Sequence, residues 1–172
     1  MNKIILVCGR ICSGKSTYAK KLAKEIGAVL LSVDEITLAL FGQHIGTNHN
    51  EMVEKTELYL LKKAVELISV GVDVIFDWGF WTREERWFVS KYYADLGIKT
   101  EWHYIDVTDE VWHKNLTKRN NAIADKSENF YFIDNDVAVK FLSMFEEPQP
   151  DEIDIWHCCS DLKIANKSGD TT

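Results

Sequence analysis

The residues best suited to chemistry lie near the N-terminus, in the run Gly9-Arg10-Ile11-Cys12-Ser13-Gly14-Lys15-Ser16. This run matches the phosphate-binding pattern G-x-x-x-x-G-K-[ST] at every fixed position. Its glycines allow backbone N–H groups to turn towards an anion, and the helix that follows would add its positive N-terminal end. Lys15 would supply a cation to the phosphate oxygens, and Ser16 would offer its hydroxyl to Mg²⁺. The run, extended by Thr17, therefore predicts a site for nucleotide phosphates.

Two aspartates follow predicted strands and would complete the chemistry of such a site. Asp77 ends the apolar run 72–76, which is the arrangement of a Walker B carboxylate that holds Mg²⁺, although it also fits a helix or turn cap. Asp34 follows the run 29–31, so it lies on the same edge of a parallel sheet, roughly 10 Å from the phosphate loop. There Asp34 would accept the proton of an attacking alcohol, cap a following helix, or do both. The sequence does not decide which of the two aspartates is the base.

Three arginines and one tryptophan are further candidates. Arg83 and Arg86 open the helix after Asp77, and Arg119 ends a helix before a polar segment, 120–133, that is predicted to be a mobile lid loop. Guanidinium groups stabilise the negative charge of phosphoryl transfer, but the same positions also suit a solvated helix face. Trp81 would either line an acceptor pocket or pack against the sheet.

Cys12 lies inside the phosphate loop, close to a lysine and a helix N-terminus. Both features lower the pKa of a thiol, so a reactive cysteine is one interpretation. The sequence favours the other interpretation, that Cys12 fills one of the four variable positions of the motif.

Apolar runs of strand length alternate along the chain with segments of helical period. The predicted strands are 4–8, 29–31, 72–76, 99–105 and 153–156, and the predicted helices are 15–26, 50–70, 82–96, 108–119 and 134–145. Thr82 and Glu85 form a capping-box pattern at the start of one helix. Because strands and helices alternate, the strands are expected to be parallel and covered by helices on both faces, in a three-layer α/β fold.

The composition supports a single globular domain, expected over residues 1–159, with a polar tail at 160–172. The chain has 172 residues, 46% of them hydrophobic and 12% aromatic, which excludes a disordered protein. Its net charge of −7 weighs against a long nucleic-acid or anionic-membrane partner. No run of about 18 apolar residues is present, and the four cysteines show no C-x-x-C spacing. A cytoplasmic location with reduced thiols is therefore expected.

Taken together, these motifs resemble the small P-loop kinase-like ATP-binding proteins, which are predicted kinases of the AAA type. Relatives include the zeta toxins, chloramphenicol phosphotransferase and polynucleotide kinase. Besides the phosphate loop, Asp34 and Arg119-Asn120, the resemblance rests on Asp77-Trp78-Gly79-Phe80-Trp81-Thr82-Arg83-Glu84-Glu85-Arg86 and on Phe145-Glu146-Glu147-Pro148-Gln149-Pro150-Asp151-Glu152. It implies a P-loop NTPase/kinase fold with five parallel strands in the order 2-3-1-4-5. It also implies that Asp34 is the catalytic base and that Arg119 is a lid arginine that engages the phosphates.

The expected activity is transfer of the ATP γ-phosphate to a hydroxyl of a small molecule, with Mg²⁺ as the metal and the chain acting as a monomer or homodimer. Two alternatives are a nucleotide-dependent switch without an acceptor and a nucleic-acid end kinase. The net charge of −7 counts against the second of these. The motifs specify neither the acceptor nor the choice between ATP and GTP.

Overall fold

A computed structural model of the chain describes residues 2–42, 48–124, 133 and 135–159. Within these ranges, strands and helices alternate almost throughout. In chain order they are β1 (Ile4–Cys8), α1 (Lys15–Ile26), β2 (Val29–Ser32), α2 (Val33–Phe41), α3 (His49–Ser69), β3 (Val74–Asp77), α4 (Arg83–Asp95), β4 (Thr100–Val107), α5 (Asp109–Ala124), α6 (Asn135–Met144) and β5 (Ile155–Cys159). The predicted tail at 160–172 lies outside the described residues.

The five strands form one parallel sheet in the order β2-β3-β1-β4-β5, which confirms the predicted topology. β1 lies at the centre of the sheet, and the phosphate-loop run follows directly from its C-terminal end. Asp77, the last residue of β3, is in register with Val7 of β1 and with Ser32 of β2. The carboxyl ends of three neighbouring strands therefore bring the phosphate loop, Asp77 and the start of α2 to one edge of the sheet.

Helices cover both faces of the sheet because alternate side chains of each buried strand point to opposite sides. On one face, strand residues such as Leu6 and Phe76 pack with Leu61 of α3 and Tyr93 of α4. On the other face, Ile5, Val7, Ile75 and Ile105 pack with residues of α1, α5 and α6. The expected three-layer arrangement is therefore present.

The starts of α4 and α2 show how local sequence sets helix boundaries. Thr82 and Glu85 form the predicted capping box at the start of α4, each binding the other's backbone N–H. The helix that Asp34 was expected to cap is present as α2, but it begins at Val33, and its N-cap is Ser32, whose hydroxyl accepts a first-turn N–H at 3.4 Å. The alternative that Asp34 is the cap is therefore wrong, and Asp34 lies one position inside the helix.

Several boundaries differ from the sequence prediction, most of them by one or two residues. α5 continues past Arg119 to Ala124, so the first five residues of the predicted lid loop are helical. Residues 125–132 of that predicted loop lie outside the described residues. β4 and β5 end two and three residues later than predicted, at Val107 and Cys159. Among the described helices, none combines the length and apolar character needed to cross a membrane.

Candidate active site

The phosphate loop connects β1 to α1, and its backbone has positive φ angles at several residues. Gly9 has φ 152° and Gly14 has φ 98°, while Cys12 has φ 59° although it carries a side chain. A Cβ on Gly9 would lie 2.7 Å from the carbonyl oxygen of Ile105 and 2.8 Å from the hydroxyl of Ser13. Only glycine therefore allows the loop to pass this close to β4.

The Lys15 side chain folds back and binds the backbone of the phosphate loop. Its ammonium group donates hydrogen bonds to the carbonyl oxygens of Gly9 and Arg10, each at 2.8 Å. Burial lowers the pKa of Lys15, whereas the neighbouring carboxyl groups of Asp77 and Asp34 raise it. The cation therefore lies at the inner wall of the loop, where phosphate oxygens could replace the carbonyl oxygens as its partners.

Helix α5 holds the outer side of the loop through contacts that the sequence did not predict. The indole N–H of Trp112 donates to the carbonyl of Ile11 at 2.7 Å, and the Asn115 amide donates to the carbonyl of Cys12 at 3.0 Å. The Arg10 guanidinium binds the Asp109 carboxylate at 2.8 Å and also the carbonyl of Val107. A tryptophan and an asparagine three positions apart on one helix face were the available signal. These bonds fix the loop before any ligand binds.

One hydroxyl group in the loop is buried without a partner. Ser13 is 3% exposed, and its Oγ has no hydrogen-bond partner among the described residues. An unsatisfied buried hydroxyl is destabilising, so such a group commonly marks the position of a ligand or water. A phosphate oxygen in the loop would supply the missing acceptor, and the residues therefore fit a bound phosphate. Thr17 lies exposed on the first turn of α1.

The two predicted metal-binding residues are in direct contact. The Ser16 hydroxyl donates a hydrogen bond of 3.1 Å to Oδ1 of Asp77, which is 6% exposed. Burial raises the pKa of Asp77, whereas the bond from Ser16 and the charge of Lys15 lower it. The described residues contain no cluster of three or more His, Cys, Asp or Glu side chains that could hold a metal ion. Ser16 and Asp77 therefore fit Mg²⁺, which takes few protein ligands and completes its shell with phosphate oxygens and water.

Asp34 and Arg119 converge on the same edge of the sheet. Asp34 is solvent-exposed at the start of α2, although many protein atoms lie around its carboxyl group. Burial raises the pKa of Asp34, while the charges of Arg119, Lys15 and His49 lower it. The charge of Asp34 in turn acts on Asp77. Two predicted catalytic cations, Lys15 and Arg119, therefore lie close enough to the predicted carboxylates for their charges to interact.

Cys12 also interacts with Arg119 and Lys15, but the pKa of its thiol is shifted in the direction opposite to the expected one. Burial raises the pKa of the Cys12 thiol, and the nearby charges of Arg119 and Lys15 only partly oppose that effect. The prediction of a lowered pKa is therefore wrong, since desolvation outweighs the two cations. The interaction of Arg119 with the thiol places its guanidinium near the phosphate loop.

Protein side chains contact each of the remaining candidates for substrate binding, which are Arg83, Arg86 and Trp81. Arg86 is 2% exposed and binds Glu152, so its guanidinium is not accessible to a substrate. Arg83 is 61% exposed and lies 3.8 Å and 3.6 Å from acidic residues of the same C-terminal segment. The Trp81 ring stacks on Phe141 of α6, with centroids 5.1 Å apart. The structure thus gives these three residues contacts to the segment 141–152.

The sheet order, the phosphate loop after β1 and the Ser16–Asp77 contact define a small P-loop kinase-like protein. A model of the family described as "AAA domain" matches residues 4–147. That match spans most of the chain, and the protein belongs to the AAA domain family.

Several solved structures share the fold at low sequence identity. A sugar kinase from a Janibacter species is 19% identical, with 92% of this chain and 86% of that chain covered and a TM-score of 0.63. A gluconokinase from Sinorhizobium meliloti is 15% identical, with coverage of 91% and 81% and a TM-score of 0.58. The APS kinase of Mycobacterium tuberculosis, in complex with AMPPNP and APS, is 20% identical, with coverage of 93% and 90% and a TM-score of 0.62. No match is found among curated protein sequences.

Proposed function

We propose that the protein is a kinase that transfers the γ-phosphate of ATP to a hydroxyl group of a small molecule. The observation that carries this proposal is the placement of Asp34. Asp34 is solvent-exposed, and its carboxyl group interacts electrostatically with Lys15 of the phosphate loop, with Arg119 and with Asp77. A site that only held nucleotide would not need an exposed carboxylate beside the reacting phosphate.

In this proposal each residue has a separate task. Asp34 accepts the proton of the acceptor hydroxyl as its oxygen attacks the γ-phosphorus, and burial favours this role because it makes the carboxylate a stronger base. Lys15 and Arg119 stabilise the negative charge of the transferred group. Ser16 and Asp77 hold Mg²⁺, which neutralises charge on the phosphates when it is bound. The reaction then needs positioning and electrostatics but no covalent intermediate.

Two further observations support a small acceptor. The solved structures with the same fold include a sugar kinase, a gluconokinase and an APS kinase bound to AMPPNP. The net charge of −7 disfavours a long polyanionic acceptor.

The proposal is tested by incubating the protein with Mg²⁺, [γ-³²P]ATP and a metabolite extract and separating the labelled products. Asp34→Asn is expected to lower the transfer rate by about 100-fold or more while the affinity for an ATP analogue is retained. Asp73→Asn is the matched control, because Asp73 lies at the opposite end of β3 and accepts the backbone N–H of Lys3. Normal transfer by Asp34→Asn would refute the assignment of the base. ATP hydrolysis without a labelled product would favour a switch, and labelling of an oligonucleotide alone would favour an end kinase.

A further inference from the structure

The end of the loop between β3 and α4, residues 78–82, and the start of α4 are hydrogen-bonded to the segment 145–152. The backbone N–H of Glu146 donates to the carbonyl of Trp81 at 2.8 Å, and the Glu146 carboxylate accepts the N–H of Arg83 at 2.7 Å. Phe145, the neighbouring residue, stacks on Tyr104 of β4. The two sequence runs that carry the family resemblance therefore contact each other through backbone and side chains.

Arg86 lies at the centre of this contact. Its Nε donates a hydrogen bond of 2.8 Å to Oε2 of Glu152. Its Nη1 donates to the carbonyl oxygens of Phe80 at 3.2 Å and of Glu146 at 3.0 Å. Its Nη2 is buried without a partner among the described residues. A buried ion pair with an unsatisfied donor is a poor source of stability, because desolvation offsets most of the attraction. The bonds of Arg86 do, however, fix the position of the loop relative to the segment 145–152.

The loop is held in a conformation that it would not adopt unaided. Phe80 has φ 47°, in the left-handed region that bulky side chains avoid, and its carbonyl is one of the two that Arg86 binds. Its ring packs between Trp78, at 4.6 Å, and Trp102, at 4.9 Å. Gly79 lies directly under the indole of Trp81, so closely that a Cβ there would be 1.9 Å from the ring nitrogen. Partners from outside the loop therefore maintain a strained, tightly folded segment.

This strained segment begins at the residue after Asp77, the carboxylate that contacts Ser16. A shift of the loop would change how the end of β3 is covered and would move the Asp77 side chain relative to the phosphate loop. Carboxylates that bind metals depend on outer residues for their orientation, and loss of such a residue commonly lowers metal affinity by about 10–100-fold.

We propose that Arg86 and Glu152 are positioning residues for the metal side of the nucleotide site, acting through the strained loop that follows Asp77. This inference rests on the proposed ATP and Mg²⁺ site. Neither residue touches the nucleotide or the metal, and their joint effect is to keep the Asp77 carboxylate in place for Mg²⁺.

The test uses the full chain and two conservative variants. Glu152→Gln keeps the size of the side chain but removes the charge that faces Arg86, and Arg86→Lys keeps the charge but removes the forked geometry. Asp151→Asn is the matched control, because Asp151 is the adjacent acidic residue, 75% exposed and 3.8 Å from Arg83. Circular dichroism and urea unfolding establish that each variant is folded, and Glu152→Gln alone suffices if Arg86→Lys does not fold.

Three quantities are measured: the affinity for a fluorescent, non-hydrolysable ATP analogue without Mg²⁺, the apparent Mg²⁺ affinity from a Mg²⁺ titration of analogue binding, and hydrogen exchange of the Glu146 and Arg83 amides. For Glu152→Gln and Arg86→Lys we expect about a tenfold loss of apparent Mg²⁺ affinity, less than about a twofold change in Mg²⁺-free affinity, and faster exchange of both amides. Asp151→Asn should match the wild-type chain in all three.

The outcomes separate this inference from the proposed function. If the wild-type chain bound no analogue with or without Mg²⁺, the proposed function would be refuted, and the positioning role with it. If the wild-type chain showed Mg²⁺-enhanced binding and Glu152→Gln showed the same enhancement with faster amide exchange, only the positioning role would be overturned. An equal loss of affinity with and without Mg²⁺ would also overturn it, because that result reports general damage to the site.

Discussion

Replacing Gly9 with alanine is the most direct test of the phosphate-loop geometry. The added Cβ would lie 2.7 Å from the Ile105 carbonyl oxygen and 2.8 Å from the Ser13 hydroxyl, at a residue with φ 152°. One of these two contacts is with the backbone of β4, an interior strand that cannot move without disturbing the sheet. The loop must therefore either open away from β4 or carry the strain.

The expected cost follows from two separate contributions. A non-glycine residue in such a backbone region costs about 1–3 kcal/mol, and insertion of a methyl group into a closely packed site costs about 1–3 kcal/mol more. We expect Gly9→Ala to lower the free energy of unfolding by about 3 kcal/mol. Gly97→Ala is the control, because Gly97 also has a positive φ, of 68°, but no atom lies within 4 Å of the point that an added Cβ would occupy. That control should lose only about 1 kcal/mol.

Both variants are measured by urea denaturation and by binding of a fluorescent ATP analogue. If the loop opens to relieve the contact, its N–H groups no longer face a common point, and the affinity of Gly9→Ala should fall at least about 30-fold, which corresponds to about 2 kcal/mol. Gly97→Ala should bind like the wild-type chain. A Gly9→Ala protein that is no less stable than Gly97→Ala, and binds as tightly as wild type, would refute the argument from close approach.

Three other substitutions test separate parts of the structure. Ser13→Ala removes the unpaired buried hydroxyl, so the ligand-free protein should become about 1 kcal/mol more stable in urea while the affinity for an ATP analogue falls; lower ligand-free stability would show that the hydroxyl is already satisfied. Trp112→Phe leaves the Ile11 carbonyl without its donor and should cost about 1–3 kcal/mol of unfolding free energy, and a neutral effect would show that this bond does not hold the loop. Burial and the neighbouring Glu85 raise the pKa of Glu57 to about 7. Because the folded protein favours the protonated carboxyl group, this contribution to stability is fully present below about pH 4.5 and is lost as the pH rises through about 7. Glu57→Gln should therefore be about 1–3 kcal/mol more stable than wild type at about pH 8 and equally stable at about pH 4. An equal gain at both pH values would exclude titration as the cause.

The parts of the fold that local sequence determines were predicted well. The continuous apolar run 4–8 and the mainly apolar run 72–76 identified β1 and β3, and the Thr82–Glu85 pattern identified the start of α4. The strand order followed from the family resemblance and is confirmed. Each of these features depends on residues close together in the chain or on a motif with fixed spacing, which is why sequence alone was sufficient.

The contacts of Arg86 could not be predicted in the same way. Its place on the strand edge after Asp77 suggested a substrate contact, but its partner is 66 positions further along the chain. No periodicity relates Arg86 to Glu152, and only the path of the chain through α6 and the turn before β5 brings them together. The same reason applies to Trp112 and Asn115, which hold the phosphate loop from a helix about 100 residues later.

The separation of Arg86 and Glu152 also has a consequence for biosynthesis. A ribosome that adds about 5–20 residues per second takes about 3–13 s to travel the 66 positions between them. Throughout that interval the nascent chain already contains the phosphate loop and Asp77, but not the carboxylate that neutralises Arg86. The segment 145–152 can therefore dock only after the phosphate loop and Asp77 have been synthesised, and a translation product that ends before residue 146 would contain both of these but lack Glu146 and Glu152.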